Sequence, residues 1–340
     1  MRLGVLGSKP DQKGHGGLMI INGVDLSQLG EQLSPQNSGK ILLYDADFTV
    51  YKSAATVKRL DTAIRRFYQL VLEDMFLVGC SEAVAYLTPT GCAKCLRWHL
   101  PTAKPYQGQR ANRQELPLKA PLKRHLIENP DQYSEQGIQV VSSNFFEADD
   151  LFIMDSYAFG DRSILMSQDK DSWLSPMARF DIPTGTVWPA LDNPFGWIKW
   201  DDTQAMPVRA HGLKFFWWQM LAGDDADNVK GITLLDGKLC GKRTAFDAIN
   251  PITSEQDAAE FVVAAYARNN QDVLAEAECL FLRRSQSDSA YQYLMSLLTT
   301  PSLRDWVQSL HEYHKQHIQW IQENPDNGED VCEGNEPAGD

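Results

Sequence analysis

Short apolar runs recur along the first half of the chain, and each is followed by polar or acidic residues. Short runs of this kind, bounded by polar positions, are typical of buried strands in a parallel sheet. The runs cover residues 41–44, 83–87, 138–141 and 164–166. We therefore predict four strands that lie in one sheet.

The segments between these strands have helical or irregular patterns. Residues 53–78 carry apolar side chains at helical spacing, and a second helix follows the third strand and runs through Tyr157. The order strand, helix, strand, crossover, strand, helix, strand predicts an α/β fold with a parallel sheet. Ligands of such sheets bind beyond the carboxyl ends of the strands.

The second half of the chain has a different pattern. Short β-like pieces are followed by a predicted helix over residues 213–221, then by the acidic glycine-bearing stretch 223–232. A glycine-containing loop then precedes Lys242 and Arg243, which open another helix. Helix, glycine turn and basic helix start resemble the helix-hairpin-helix class, which presents backbone N–H groups to DNA phosphates. Residues 255–322 have helical spacing.

Composition indicates a globular protein. The chain has 340 residues, of which 43% are hydrophobic and 23% charged. We find no run of 18 apolar residues that could span a membrane, and the segment after Arg2 lacks a signal-peptide pattern. Six cysteines without a dense framework suit a reducing compartment. We expect a cytoplasmic protein without a membrane partner.

The net charge of −13 is distributed unevenly. Residues 323–340 carry seven acids and no Lys or Arg, so we predict a disordered acidic tail. Residues 91–127, called the basic segment below, carry eight Lys or Arg residues and one acid. Four prolines interrupt this segment, which we therefore predict to be a mobile crossover or lid. Its charge makes it a candidate phosphate-contacting surface.

Carboxylates stand where the predicted strands end. Like charges repel by roughly 4 kcal/mol at about 4 Å and an effective dielectric near 20, so protons, basic partners or divalent cations must offset them. An acidic helix start that complements the helix dipole is the simpler alternative for residues 147–150. The acids are Asp45, Glu147, Asp149, Asp150, Asp169, Asp171, Asp224 and Asp227.

Taken in order, these motifs resemble the 5′-nuclease family, which comprises flap endonucleases, polymerase-associated 5′→3′ exonucleases and phage exonucleases. The resemblance covers roughly residues 40 to 250 and is strongest for the phage enzymes. It rests on Asp45, the 147–150 acids, the 169–171 pair and the 223–228 stretch. Residues 106–110 (Tyr-Gln-Gly-Gln-Arg) also resemble the short aromatic-basic motif of the family's helical arch.

The resemblance implies a parallel-sheet, PIN-like 5′-nuclease core with a helical arch near residues 91–130 and a helix-3-turn-helix motif. It implies an N-terminal extension over 1–39, the nuclease core over 40–204, and helices over 205–322. Two Mg²⁺ ions, for which Mn²⁺ can substitute, are implied as cofactors, with K⁺ at the helix-3-turn-helix. The first Mg²⁺ site would consist of Asp45, Glu147, Asp149 and Asp150, with Asp47 as a marginal ligand. The second would consist of Asp169, Asp171, Asp224 and Asp227.

The implied substrate is duplex DNA with 5′ ends or flaps, and RNA in RNA–DNA hybrids is a second one. The implied activity is that of a 5′→3′ exonuclease or flap endonuclease in replication or recombination, with partner proteins recruited through the acidic tail. Lys104 and Arg110 are the implied catalytic cations. The implied DNA contacts are Arg97, Tyr106, Arg113, Lys230, Gly231, Gly241, Lys242 and Arg243.

The chain departs from the family pattern at four places. Thr88 or Thr90 stands where an Asp is expected after the second strand, and Gln107 stands where the arch motif has Lys. Gln219 replaces a lysine ahead of the Gly-Asp pair, and the hairpin over 231–242 is longer.

Two other interpretations stay open. Residues 43–50 resemble the first motif of HAD-type phosphatases, in which Asp45 would be the nucleophile and Asp47 the general acid. The chain could also be a DNA-binding member of the 5′-nuclease fold that has lost its chemistry.

Overall fold

The computed structural model describes residues 37–110 and 116–324, together with the backbone of residues 20–21 and 24–25. Strands β1 (Ile20–Ile21) and β2 (Val24–Asp25) pair antiparallel. Most of the predicted N-terminal extension and residues 325–340 of the predicted acidic tail lie outside the described residues.

A six-stranded sheet forms the first half of the chain, with strand order β5-β4-β3-β6-β7-β8. Strands β3 to β7 pair in parallel, and β8 is antiparallel to β7. The strands are β3 (Ile41–Asp45), β4 (Glu82–Leu87), β5 (Ile138–Ser142), β6 (Ser163–Met166), β7 (Arg179–Asp181) and β8 (Thr186–Trp188). The predicted parallel α/β sheet is therefore confirmed. Its central strand β3 is buried on both faces, as its apolar run indicated.

Four helices cover this sheet: α1 (Asp47–Ala55), α2 (Leu60–Val78), α3 (Lys119–Glu128) and α4 (Ala148–Phe159). The single helix predicted over 53–78 is wrong, because the chain leaves the helix at Thr56 and re-enters it at Leu60. The β-branched Thr56 and Val57 are weak helix formers, and Arg59 is extended. Helix α2 ends at Gly79 in the left-handed conformation that glycine favours.

The basic segment packs against the rest of the protein instead of standing free. Between Lys94 and Arg110 it forms only 3-10 turns, at Lys94–His99 and Gly108–Arg110. The Ala103 N–H donates to Glu276 Oε1 at 3.0 Å, and Asn228 Nδ2 donates to the Pro105 carbonyl at 2.8 Å. Between Lys94 and Arg110 the backbone is therefore tied down, unlike the mobile lid expected here, whereas helix α3 (Lys119–Glu128) lies within the range predicted for the helical arch.

The second half is mainly helical and contains the largest apolar core. Helix α5 is buried nearly all round, and the exposed fractions of Trp217 and Trp218 are 0% and 1%, as expected of core residues. The elements are β9 (Trp197–Trp200), β10 (Val208–His211), α5 (Lys214–Ala222), β11 (Leu234–Leu235), β12 (Lys238–Leu239), α6 (Lys242–Ile249), α7 (Glu255–Arg268), α8 (Val273–Leu280), α9 (Ala290–Leu297) and α10 (Pro301–Glu323). Among the described helices, none is long and apolar enough to cross a membrane.

The turn after α5 requires two glycines. Gly223 and Gly231 have φ values of 75° and 69°, in the left-handed region. A Cβ at Gly231 would lie 2.3 Å from the Gly223 nitrogen, so no side chain fits there. This close approach folds residues 224–230 into a compact loop that brings its acids next to the sheet edge.

Candidate metal centre and nucleic-acid interface

Carboxylates from separate segments meet at the carboxyl edge of the parallel sheet. Asp45 ends β3, Asp149 lies in the first turn of α4, and Asp169 and Asp171 follow β6. Burial, followed by the charges of Asp45, Asp169 and Asp171, raises the pKa of Asp149 well above its ordinary value. The structure thus brings together acids that are more than a hundred residues apart in the sequence.

The tightest group of acids lies between β6 and the loop after α5. One carboxylate oxygen from each of Asp171, Asp224 and Asp227 lies within 4.8 Å of the others. Burial, then the charge of Asp169, raises the pKa of Asp171 to about 8. Burial raises the pKa of Asp227 to about 6, against the opposing charge of Arg110.

The donor set of this group fits a divalent cation of the Mg²⁺ or Mn²⁺ type, because these hard ions prefer oxygen ligands. Gln219 Nε2 donates to Asp171 Oδ1 at 2.9 Å and to Asp224 Oδ2 at 3.2 Å, which fixes both carboxylates. Its Oε1 atom is buried and has no hydrogen-bond partner. Gln219, noted in the sequence as a departure, therefore belongs to the site.

Lys170 is a site residue that sequence reasoning missed. Its Nζ lies 3.1 Å from Asp171 Oδ1 and 2.5 Å from Asp224 Oδ2. Burial lowers the pKa of Lys170, but the charges of Asp171 and Asp224 outweigh burial and raise it. Its position between two predicted ligands was the signal that could have identified it. Lys170 offsets part of the repulsion within the acid group.

Asp45 is held in place at the end of β3. Ser167 Oγ donates to its Oδ2 at 2.7 Å, and the Asp47 N–H donates to its Oδ1 at 3.3 Å. Burial and the charge of Asp47 raise the pKa of Asp45 to about 7. Asp47 itself pairs with Lys123, whose Nζ lies 2.8 Å from its Oδ1.

Thr88 replaces the expected second-strand acid and has a structural contact of its own. Its Oγ1 accepts the Ala148 N–H at 2.8 Å, at the first residue of α4. This bond satisfies one of the N–H groups left open at a helix start. Thr88 therefore positions the turn that carries Glu147 and Asp149.

Both carboxylate oxygens of Asp150, a predicted ligand of the first Mg²⁺, accept hydrogen bonds from protein donors. Its Oδ1 accepts from Arg97 Nη2 at 2.8 Å and from the Arg283 N–H at 3.2 Å, and its Oδ2 accepts from Arg97 Nη1 at 2.8 Å and from Cys95 Sγ at 3.7 Å. A carboxylate has about four lone-pair sites, and all are occupied. Burial raises the pKa of Asp150, but Arg97 outweighs it and keeps the group ionised. The assignment of Asp150 as a metal ligand is therefore not supported by its geometry.

One of the two carboxylate oxygens of Glu147 is already occupied by hydrogen bonds. Its Oε2 accepts from Arg97 Nη1 at 2.8 Å and from the Tyr106 hydroxyl at 2.9 Å. Its Oε1 has only longer contacts, to Gln107 Nε2 at 3.4 Å and Lys94 Nζ at 3.5 Å. Only Oε1 retains the freedom that a predicted metal ligand needs.

The predicted DNA contacts Arg97 and Tyr106 are buried, with exposed fractions of 2% and 6%. Arg97 also donates from Nε to the Glu278 carbonyl and from Nη2 to the Phe281 carbonyl, both at 3.0 Å. With Glu147 and Asp150 these acceptors engage all five guanidinium donors. Neither Arg97 nor Tyr106 is placed to meet DNA, which corrects the expectation for both.

The two predicted catalytic cations differ in position. Arg110 reaches the acids, with Nη2 2.6 Å from Asp227 Oδ1. Lys104 is exposed, and within the described residues its side chain contacts no acid of the cluster. Lys94 lies closer, because its Nζ donates to Gln107 Oε1 at 2.6 Å while Gln107 Nε2 donates to Asp227 at 3.0 Å.

The glycine turn of the predicted DNA grip is occupied by a protein carboxylate. The N–H groups of Lys230 and Gly231 donate to Glu276 Oε2 at 3.2 Å and 3.4 Å. The Gly231 N–H is therefore not available to a phosphate, contrary to expectation. The Lys230 side chain remains exposed.

The start of α6 keeps an exposed surface with the expected cations. Gly241, Lys242 and Arg243 are all exposed. Lys242 Nζ lies 3.2 Å from Asp225, and the Arg243 guanidinium lies 4.9 Å from the centre of the Trp200 ring. This surface can contact a DNA backbone. Arg113, the remaining predicted contact, lies outside the described residues.

The raised pKa values predict a pH dependence of stability. The carboxyls of Asp45, Asp171 and Asp227 have folded-state pKa values of about 7, 8 and 6 against an ordinary 3.8, so protonation favours the folded state. In EDTA we expect Tm to fall as the pH rises from about 5 to about 8.5, because these groups must then ionise within the fold.

A divalent cation binds the ionised carboxylates, so Mn²⁺ should flatten this pH profile of Tm. Differential scanning fluorimetry measures both conditions on the same protein. A Tm in EDTA that rises toward about pH 8.5 would contradict the expected sign.

Comparison with known proteins finds similarity among solved structures only. No protein-family model and no curated protein matches the chain. A phage T5 5′-exonuclease with bound zinc is 14% identical over 81% of this chain and 99% of that chain, with a TM-score of 0.47. A bacteriophage T5 flap endonuclease in a complex with DNA and metal ions is 14% identical over 81% and 99%, with a TM-score of 0.45. The catalytic core of Rad2 with a DNA substrate is 12% identical over 83% and 93%, with a TM-score of 0.39.

The phage proteins belong to the group that the sequence motifs resemble.

Proposed function

We propose that this chain is a metal-dependent nuclease that hydrolyses phosphodiesters at the 5′ ends or 5′ flaps of DNA. The observation that carries the proposal is the convergence of Asp171, Asp224 and Asp227, with oxygens within 4.8 Å, at the carboxyl edge of a parallel sheet. Lys170 and Arg110 together supply two positive charges to these three acids, which leaves negative charge that a divalent cation can offset. Asp45 and Asp149 extend the same acidic surface.

Asp171, Asp224 and Asp227 would hold one Mg²⁺ or Mn²⁺ ion, and Asp45, Asp149 and Asp169 offer ligands for a second. Bound ions of this type lower the pKa of a coordinated water and stabilise the leaving oxygen of a phosphodiester. The chain's own residues prepare the ligands: Gln219 fixes Asp171 and Asp224 at 2.9 Å and 3.2 Å.

The substrate class follows from the exposed cations next to these acids. The start of α6 presents Lys242 and Arg243 together with the N–H groups of a helix N-terminus, which suit a phosphate backbone. Arg110 of the basic segment contacts the same loop 224–230, through Ala226 and Asp227. Binding should be independent of sequence and should weaken steeply with salt. RNA in hybrids, K⁺ at the glycine turn and a role in replication or recombination extend the proposal by resemblance.

The direct test uses a flap and a nicked duplex labelled at the 5′ end. We expect short labelled products with Mg²⁺ or Mn²⁺ and intact substrate with EDTA. The variant Asp161→Asn, an exposed acid away from the cluster, should cleave like the wild type. Absence of cleavage with every metal would exclude the enzyme, and retained duplex binding would then favour the DNA-binding interpretation.

The phosphatase interpretation is tested by a separate experiment. Its general acid, Asp47, is paired with Lys123 at 2.8 Å. An aspartyl-phosphate trapped at Asp45 after incubation with a phosphomonoester would favour the phosphatase over the nuclease.

A further inference from the structure

Three consecutive residues of the basic segment have left-handed backbone conformations. The φ values of Lys94, Cys95 and Leu96 are 49°, 56° and 62°, and none of these residues is glycine or asparagine. Each such conformation costs about 1–2 kcal/mol, so it persists only where the surroundings enforce it. Such backbone concentrates at functional sites.

Contacts on both sides hold this turn against the start of α4. The Ala93 N–H donates to the Asn144 carbonyl and the Cys95 N–H donates to the Phe145 carbonyl, both at 2.8 Å. After the turn, Arg97 is held by Asp150 at 2.8 Å through both of its terminal nitrogens. Arg97 thus fixes the end of the turn, and all of its donors are used by protein acceptors. The position of the Lys94 side chain therefore needs contacts of its own.

The turn brings the Lys94 ammonium group between two sets of acids. Its Nζ lies 2.6 Å from Gln107 Oε1, 3.5 Å from Glu147 Oε1 and 4.9 Å from the centre of the Trp98 ring. Gln107 in turn donates to Asp227 at 3.0 Å. Lys94 therefore contacts Glu147 directly and is linked to Asp227 through Gln107.

An ammonium group has three donors, and two of those of Lys94 face protein oxygens in the described structure. The remaining donor is available to an anion, and 17% of the side chain is exposed. Arg97 offers no donor, and Lys104 is exposed and forms no ion pair with an acid of the described residues. Among the described lysines of the basic segment, Lys94 and Lys123 are held at acids, and Lys94 is the one that lies beside Glu147 and, through Gln107, beside Asp227.

We propose that Lys94 binds the phosphate at the scissile bond of the nucleic-acid substrate. This rests on the proposed nuclease function, because the acids beside it are the proposed metal ligands. A compact point charge on a fixed backbone suits the negative charge of a phosphate as its bond breaks. The role assigned from sequence to Lys104 then belongs to Lys94.

The test compares Lys94→Met with Lys104→Met and with the remote, exposed Lys315→Met. For Lys94→Met we expect kcat for flap cleavage to fall about 10²–10³-fold, the range for loss of one transition-state donor. The slope of log affinity for DNA against log salt, measured without cleavage in Ca²⁺, should fall in magnitude by about one. Mn²⁺ affinity should stay within about twofold of wild type, because Lys94 is not a ligand.

Lys94→Arg retains the cation and should recover part of kcat, whereas a role in folding alone would move Tm and leave the salt slope unchanged. If Lys94→Met does not fold, Lys94→Gln replaces it in the same measurements. If wild type cleaves nothing, the proposed function fails, while the salt slope still decides whether Lys94 meets a phosphate. A salt slope for Lys94→Met equal to that of Lys315→Met, or a loss found only in Lys104→Met, would overturn the proposal.

Discussion

Asp171→Asn is expected to reduce flap cleavage by about 10³-fold or more and to weaken Mn²⁺ binding strongly, because one carboxylate of the tightest acid group is lost. Its carboxylate oxygen lies within 4.8 Å of those of Asp224 and Asp227, and Gln219 holds it at 2.9 Å. Asparagine keeps the size of the side chain but removes its charge. Single-turnover cleavage and calorimetric titration with Mn²⁺ measure the two effects.

The same substitution should act on stability in the opposite direction when metal is absent. Burial and neighbouring acids raise the pKa of Asp171 to about 8, so its ionised form is unfavourable in the fold at neutral pH. In EDTA near pH 8, Asp171→Asn should therefore have a higher Tm than wild type. Asp161→Asn serves as the control for charge alone. Normal cleavage combined with a lower Tm would show that Asp171 is a structural residue.

Arg97→Met is expected to destabilise the protein by about 3–5 kcal/mol, because it leaves the buried Asp150 without its counter-ion. Asp150 is fully buried, and both of its oxygens lie 2.8 Å from Arg97 nitrogens. Arg97→Lys should not restore stability, since an ammonium has three donors for the five acceptors around Arg97. Urea unfolding gives the free energies.

The double variant Arg97→Met with Asp150→Leu tests whether the effect comes from this pair. Replacing a buried ion pair by apolar side chains often costs little, so the double variant should be more stable than Arg97→Met alone. Arg65→Met, on the exposed face of α2, is the matched control. If Arg97→Met unfolds like wild type and instead weakens DNA binding, Arg97 is the DNA contact that the sequence indicated.

Strands and the edge at which their acids lie could be predicted, because both depend on short stretches of sequence. The four apolar runs became parallel strands, and the acids that follow them lie at one edge of the sheet. The exception is the helix predicted over 53–78, where two β-branched residues near Lys58 stop a helix whose apolar spacing continues.

Side-chain partners were harder to predict because they depend on direction as well as on position. Consecutive helix residues point about 100° apart, so Asp149 and Asp150 face different surroundings although they are neighbours. Asp149 is affected by the charges of Asp45, Asp169 and Asp171, whereas Asp150 is saturated by Arg97. The sequence motif contains no signal for this division.

The chain by itself determined the parallel sheet, the helix that became α5 and the acids at the strand ends, because apolar runs and chain order are sufficient to specify them. Only the tertiary structure decided which ions pair. A left-handed turn without glycine aims Lys94 at Glu147, and Glu276 reaches the Gly231 N–H from 45 residues away. Both depend on packing between distant segments, which residue type and spacing do not encode.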